Sequence, residues 1–183
     1  RRNAYPMAEG RQIARPEMGL TRLVTNGVLQ LTYFNMTYAN LILNSRAQLD
    51  WDGGIAATRG TAARYDFLGP NTTDKTLLQS WRDRVMVYVR EGGAVVSNNC
   101  EIRIRQPLLC GVPEGKTDGG FTKWGTGMMA FVHDLNEGEV SFNTFNGPIN
   151  VEQGTLTMGS ASNFLPTVAL NVRSGATFNG NTM

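Results

Sequence analysis

The amino-acid sequence predicts an all-β fold in which short strands wind into a coil stacked on itself. Three observations carry this. Apolar and polar residues alternate with period two in short runs, the runs are separated by glycine and asparagine turns, and the chain partly echoes itself. The signal is densest from Gly120 to Gly180. In GPINVEQGTLTMGS, Ile149 and Val151 point one way while Asn150 and Glu152 point the other. After the turn at Gly154, Leu156 and Met158 alternate with Thr155 and Thr157, and in TVALNVRSGATF, Val168, Leu170 and Val172 alternate with Ala169, Asn171 and Arg173. Such runs are strands with one buried and one wet face.

Taken in order, residues 1–19 carry four arginines and two prolines without periodicity. They read as an N-terminal arm: a flexible terminus, a cap over an open end of the coil, or a bridge to a neighbouring copy. Residues 20–183 read as one domain. Its first strands are LTRLV and VLQLTY, with Leu29 and Leu31 inward, joined by the turn pair Asn26-Gly27. ANLILNSRAQLDWDGG follows, with Leu41, Leu43, Leu49 and Trp51 on one face, and it echoes the closing NVRSGATFNG. Residues 53–83 interrupt the pattern and read as a lateral loop holding one strand candidate, Arg64 to Leu68, and a short helix in LLQSWRDR. Strands resume with Val85, Val87 and Val89 inward, then AVV and EIRIR, whose outward side chains are expected to be Glu101, Arg103 and Arg105. Pro107 to Asp118 reads as another loop. At roughly 20 to 25 residues per rung the chain would form about seven or eight rungs, spaced about 4.8 Å apart.

The segment GGFTKWGTGMMAF…FNGPINVEQGTLTMGSA resembles the autotransporter-associated β-strand repeat of bacterial surface and secreted proteins. Gly119, Gly120, Thr122, Lys123, Gly125 and Gly127 fit the first half of that repeat, and Gly147, Val151, Gly154 and Leu156 fit the second. Phe145 stands where the family has tyrosine, and Val132 to Ser141 is longer and more acidic than the family pattern. The upstream VYVREGGAVVSNNCEIRIRQPL resembles the lead-in to such repeats. The resemblance implies a right-handed parallel β-helix exported outside the cell. It implies no single activity, because adhesins, fibres and enzymes all occur among these passengers.

Composition narrows the function. Seventeen basic and fifteen acidic residues leave a net charge of +2, which gives no argument for nucleic acid. Fourteen of the seventeen basic residues are arginine, suited to fixed, forked hydrogen bonds or reflecting codon bias. No apolar run approaches the roughly 18 residues that span a membrane. The chain starts at Arg1 with nothing like a signal peptide, which reads as a processed protein or a fragment. Cys100 is placed by alternation on the buried face, where a free thiol packs as a small hydrophobe; ten residues separate it from Cys110, less than one rung, so the two would not stack on adjacent rungs, and a disulfide between them is the alternative, favoured where the Pro107–Gly111 loop doubles back.

Chemistry-bearing constellations are few. His133 is the only histidine, beside Asp134, and no nucleophile elbow, P-loop, dinucleotide fingerprint or zinc spacing accompanies it. Asp50 and Asp52 share one face of a strand, as carboxylates do in polysaccharide-cleaving or calcium-binding sites, or as solvated charges before a turn. Asp134, Glu137 and Glu139 form a second acidic group. The sequons at Asn35 and Asn71 fit surface loops. Aromatic and arginine side chains are the stronger recognition features. They are Tyr5, Arg11, Arg15, Tyr33, Phe34, Tyr38, Tyr65, Phe67, Trp81 and Phe178, which either make contacts with partners or seal the coil. The C-terminal ATFNG stops on a strand and turn without a visible cap. The expectation is therefore a non-enzymatic, cofactor-free structural protein outside a bacterial cell, stacking head to tail with copies of itself or forming a surface shaft. The alternatives are a polysaccharide-cleaving enzyme using Asp50 and Asp52, and an adhesin that binds glycan or protein through residues 53–83.

Overall fold

Among the described residues the protein is strand-rich, with almost no helix. The computed structural model describes residues 14–15, 20–22, 28–31, 47–58, 64–67, 76, 79, 82, 85–132, 141–159, 162–164 and 167–180. Strand β1 (Ala14–Arg15) precedes a first set, β2 (Leu20–Arg22) and β3 (Val28–Leu31). The second set is β4 (Ala47–Trp51), β5 (Ile55–Thr58) and β6 (Arg64–Phe67); the third is β7 (Val85–Val89), β8 (Ala94–Ser97) and β9 (Glu101–Ile104). The fourth is β10 (Leu108–Cys110), β11 (Phe121–Trp124) and β12 (Met128–Phe131). The fifth is β13 (Ser141–Asn143), β14 (Ile149–Val151) and β15 (Thr155–Met158), and the sixth β16 (Ser162–Phe164), β17 (Leu170–Val172) and β18 (Thr177–Asn179).

The second, third and fourth sets each add one strand to each of three sheets, and the fifth and sixth extend the second and third sheets. The three orders are β1-β2-β4-β7-β10, then β17-β14-β11-β8-β5-β3, and β18-β15-β12-β9-β6; β13 and β16 pair separately. Every pairing is parallel except β1 on β2, which is antiparallel with Ala14 opposite Thr21 and Arg15 opposite Leu20. The first sheet breaks between β10 and β13, and side-chain chemistry bridges the break. The buried Asn143 accepts the Leu108 N–H through Oδ1 at 3.0 Å, and the Thr144 N–H reaches the Leu108 carbonyl at 2.8 Å.

Parallel register repeats the inward residues in columns. Ala94, Phe121 and Ile149 form one, and Ile102, Met129 and Leu156 another; all are buried. Trp51, Val87, Val89, Val96, Ile104 and Val151 are wholly buried as well. Phe121, Phe131, Phe145 and Phe164 pack edge-on or tilted, with centroids 5.1 to 6.5 Å apart. Such pairs contribute about 0.5–1.5 kcal/mol beyond the area they bury.

Four details differ from the sequence reading. The segment 53–83 is not wholly lateral: β5 and β6 lie within it and pair with β8 and β9. Its polar remainder lengthens one step, so Val95 lies 40 residues after its partner Ile55, whereas Leu108 follows its partner Val87 by 21. Thr76, Gln79 and Arg82 are helical, as LLQSWRDR suggested. Pro107 to Asp118 likewise contains a strand, β10, and the described residues hold six sets, not seven or eight. Arg105 is buried rather than outward, because β9 ends at Ile104 and the alternation ends with it. Among the described residues no helix is long and apolar enough to cross a membrane.

Candidate assembly face

The feature that sets one part of the molecule apart is the outer side of the sixth set. Leu170 pairs with Ile149 and Val172 with Val151, so both occupy inward columns. Ile149 and Val151 are 2% and 0% exposed, whereas Leu170 and Val172 are 43% exposed each. The same positions, one set later, lose their cover. Phe178, over Leu156, is half-buried and packs against the core, as do Ala176 and Phe164. Among the described residues β17 and β18 are each paired on one side only, to β14 and β15. The face therefore combines apolar side chains with two strand edges whose N–H and C=O groups point outward.

Elsewhere in the fold, side chains tie each set to the next at its corners. At the corner leading into the second sheet, four tripeptides recur: Asp52-Gly53-Gly54, Glu91-Gly92-Gly93, Asp118-Gly119-Gly120 and Asn146-Gly147-Pro148. Asp52 Oδ1 accepts the Gly92 N–H at 2.8 Å. The buried Asp118 does more: Oδ1 accepts the N–H groups of Gly120 at 2.9 Å and Gly147 at 2.8 Å, and Oδ2 that of Asn146 at 2.9 Å. In return Asn146 Oδ1 accepts the Asp118 N–H at 2.8 Å. Glycine is required where the backbones approach. Gly120 sits at φ +68°, and a Cβ there would stand against the Pro148 carbonyl oxygen.

At the next corner the fastener is Lys123. Alternation along β11 sends Phe121 and Lys123 to the same inward face, and Lys123 is wholly buried. Its ammonium donates to the carbonyls of Trp124 at 2.7 Å, Gly125 at 2.7 Å and Gln153 at 3.1 Å, joining two consecutive turns. Burial lowers its pKa from 10.5 to about 8. On the wet face of the second sheet the Asn171 amide donates to Asn150 Oδ1 at 2.9 Å, and Arg173 pairs with Glu152 at 3.3 Å.

Of the residues singled out in the sequence, Phe178 lies on this face. Arg15 lies in β1, at one end of the first sheet, and Tyr65 and Phe67 lie in β6, at the opposite end of the third sheet from β18. Tyr5, Arg11, Tyr33, Phe34, Tyr38 and Trp81 fall outside the described residues, as do His133, Asp134, Glu137, Glu139 and both sequons. Asp50 and Asp52 have structural work. Asp50 Oδ1 takes the Arg90 guanidinium at 2.5 Å, Arg90 also donates to the Gly111 carbonyl, and Asp52 holds Gly92. Cys100 and Cys110 are free, half-buried thiols. Among the described residues no group of three or more His, Cys, Asp or Glu gathers as metal ligands do. Lys123 was named only as a match to the repeat and not as an inward side chain, although the step of two from Phe121 places it inward by the same alternation used for the aliphatics.

No known protein family, curated protein or solved structure matches the chain.

Proposed function

We propose that the three sheets wind as one right-handed parallel β-helix and that the chain is a structural unit without chemistry of its own, extended at its sixth set by further strands. Repetition of parallel strands in threes supports the winding, and parallel crossovers are right-handed in almost all proteins. The resemblance to autotransporter-associated repeats adds a location outside a bacterial cell, in a surface shaft or fibre. The single observation that carries the reading is the rise in exposure from 2% and 0% at Ile149 and Val151 to 43% at Leu170 and Val172, along unbroken columns.

Covering those two side chains is worth about 1 kcal/mol each, since fully burying a Leu or Val contributes about 1.5–3 kcal/mol. The edge hydrogen bonds of β17 and β18 add to it. Sedimentation velocity and electron microscopy across a concentration series test the reading. Wild type should associate, and Leu170→Asp/Val172→Asp should remain monomeric while keeping its β-sheet circular dichroism. Monodisperse wild-type monomers at high concentration would overturn it.

A further inference from the structure

The corner between the fourth and fifth sets carries a reactive dipeptide. Asn146-Gly147 joins a carboxamide to a residue with no side chain to shield its backbone nitrogen. In an open chain that nitrogen attacks the asparagine Cγ. The N–Cγ bond forms, the carboxamide nitrogen leaves as ammonia with the amide proton, and a succinimide ring remains. Water then opens the ring at either carbonyl and leaves aspartate or isoaspartate. In the folded protein Asn146 is exposed to water, while Gly147 is buried. Both reacting groups are held. The attacking nitrogen of Gly147 gives its proton to Asp118 Oδ1 at 2.8 Å, and the Asn146 N–H goes to Oδ2 of the same carboxylate at 2.9 Å. The attacked carboxamide is pinned at both atoms: Oδ1 accepts the Asp118 N–H at 2.8 Å, and Nδ2 donates to the Lys116 carbonyl at 2.9 Å.

We infer that Asn146 is a self-modification site held closed by Asp118, and that local opening of this corner lets the chain convert it, one way, to aspartate or isoaspartate. Bringing the Gly147 nitrogen onto the carboxamide carbon turns both groups away from the partners that now fix them, so the reaction waits for the corner to open. The product cannot restore what was lost. Nδ2, which donates to the Lys116 carbonyl, is replaced by an oxygen that only accepts, and a second carboxylate stands against Asp118. Isoaspartate also adds a methylene to the main chain beside Gly147, where the backbones approach so closely that a Cβ would meet the Asp118 carbonyl oxygen. Of the four corner positions, Asp52, Glu91, Asp118 and Asn146, only the last is neutral, and its carboxamide both gives and accepts where a carboxylate could only accept. The sites sits outside the exposed face of the sixth set and does not depend on what the chain assembles with.

The test is ageing of the full chain at mildly alkaline pH, with peptide mass mapping and isoaspartate labelling to follow conversion at Asn146. Folded wild type should convert roughly 10- to 100-fold more slowly than the same chain unfolded in urea, the factor that a hydrogen bond to a charged group supplies. Asp118→Ala should recover most of that factor. Asp118→Asn should stay near the wild-type rate, because its carbonyl oxygen still accepts the Gly147 N–H. Met129→Ala, a core change on the third sheet, should leave Asn146 slow although it lowers stability. Asn146→Asp, the product itself, should have a lower urea midpoint than wild type. Equal rates in folded and unfolded wild type would overturn the inference, as would Met129→Ala accelerating conversion as much as Asp118→Ala does. Slower conversion in Asp118→Ala would also overturn it, by making the carboxylate the base that drives the attack. If Asp118→Ala does not fold, fast conversion in folded Asp118→Asn or Met129→Ala overturns it and slow conversion in both supports it.

Discussion

Replacing Asp118 by alanine removes the carboxylate that clasps the fourth set to the fifth. Three N–H groups lose their acceptor: Gly120, Gly147 and Asn146. Gly120 and Gly147 are buried, and Asn146 is exposed and turns to water. Two orphaned buried donors cost about 1–3 kcal/mol each, so the gross loss is about 2–6 kcal/mol. Against that, alanine no longer carries a buried carboxylate out of water, a gain of up to a few kcal/mol. The net expectation is a loss of about 3 kcal/mol, read as a lower urea midpoint with an unchanged slope. Asp118→Asn separates the parts. Its remaining carbonyl oxygen can replace Oδ1, which serves both glycines, so only the bond to Asn146 is lost and the cost falls to about 1 kcal/mol. A loss below about 1 kcal/mol for the alanine variant, or equal losses for both, would refute the clasp.

Further predictions follow from the same corners and core. Gly120→Ala should cost more than about 3 kcal/mol, because φ +68° and the Pro148 carbonyl both oppose a side chain; Gly115→Ala, at φ +75° with open space around it, should cost only about 1 kcal/mol in thermal or urea unfolding. Phe145→Ala should lower stability by about 3–5 kcal/mol, since its wholly buried ring touches Phe121 and Phe164. For Lys123 the folded pKa lies near 8 and the unfolded near 10.5, so between those values the unfolded chain binds more protons and stability from this group rises with pH. The stability difference between wild type and Lys123→Met should move toward wild type from pH 7 to pH 10, by at most about 3 kcal/mol. A difference that stays constant across that range would show that the ammonium is not desolvated.

Alternation made the third to sixth sets legible, because Val87, Val89, Ile102, Ile104, Ile149, Val151, Leu156 and Met158 are large aliphatics or methionine at every second position and all are buried. Where the inward residue is small, the signal faded. Strand β5 is Ile-Ala-Ala-Thr, and parallel pairing to β8 decides its state more than local propensity does; β6, Arg-Tyr-Asp-Phe, was legible as the strand candidate Arg64 to Leu68. Strand β10 was hidden between Pro107 and the turn residues that follow Cys110. Asp118 and Lys123 look like solvated charge in sequence, since what draws each inward is a set of backbone groups contributed by the next turn, 25 or more residues away. The end face was half legible. Period two placed Leu170 and Val172 inward, but which strands pair with β17 and β18 is set by the fold and not by local pattern.

The break between β10 and β13 gives the molecule a mechanical asymmetry. On two sides of the stack, continuous ladders carry tension from the third set to the sixth, while on the remaining side one carboxamide and a few peptide N–H groups around Leu108 do so. Under the proposed winding, lateral load opens the fold first along that seam, with Asn143 as its latch.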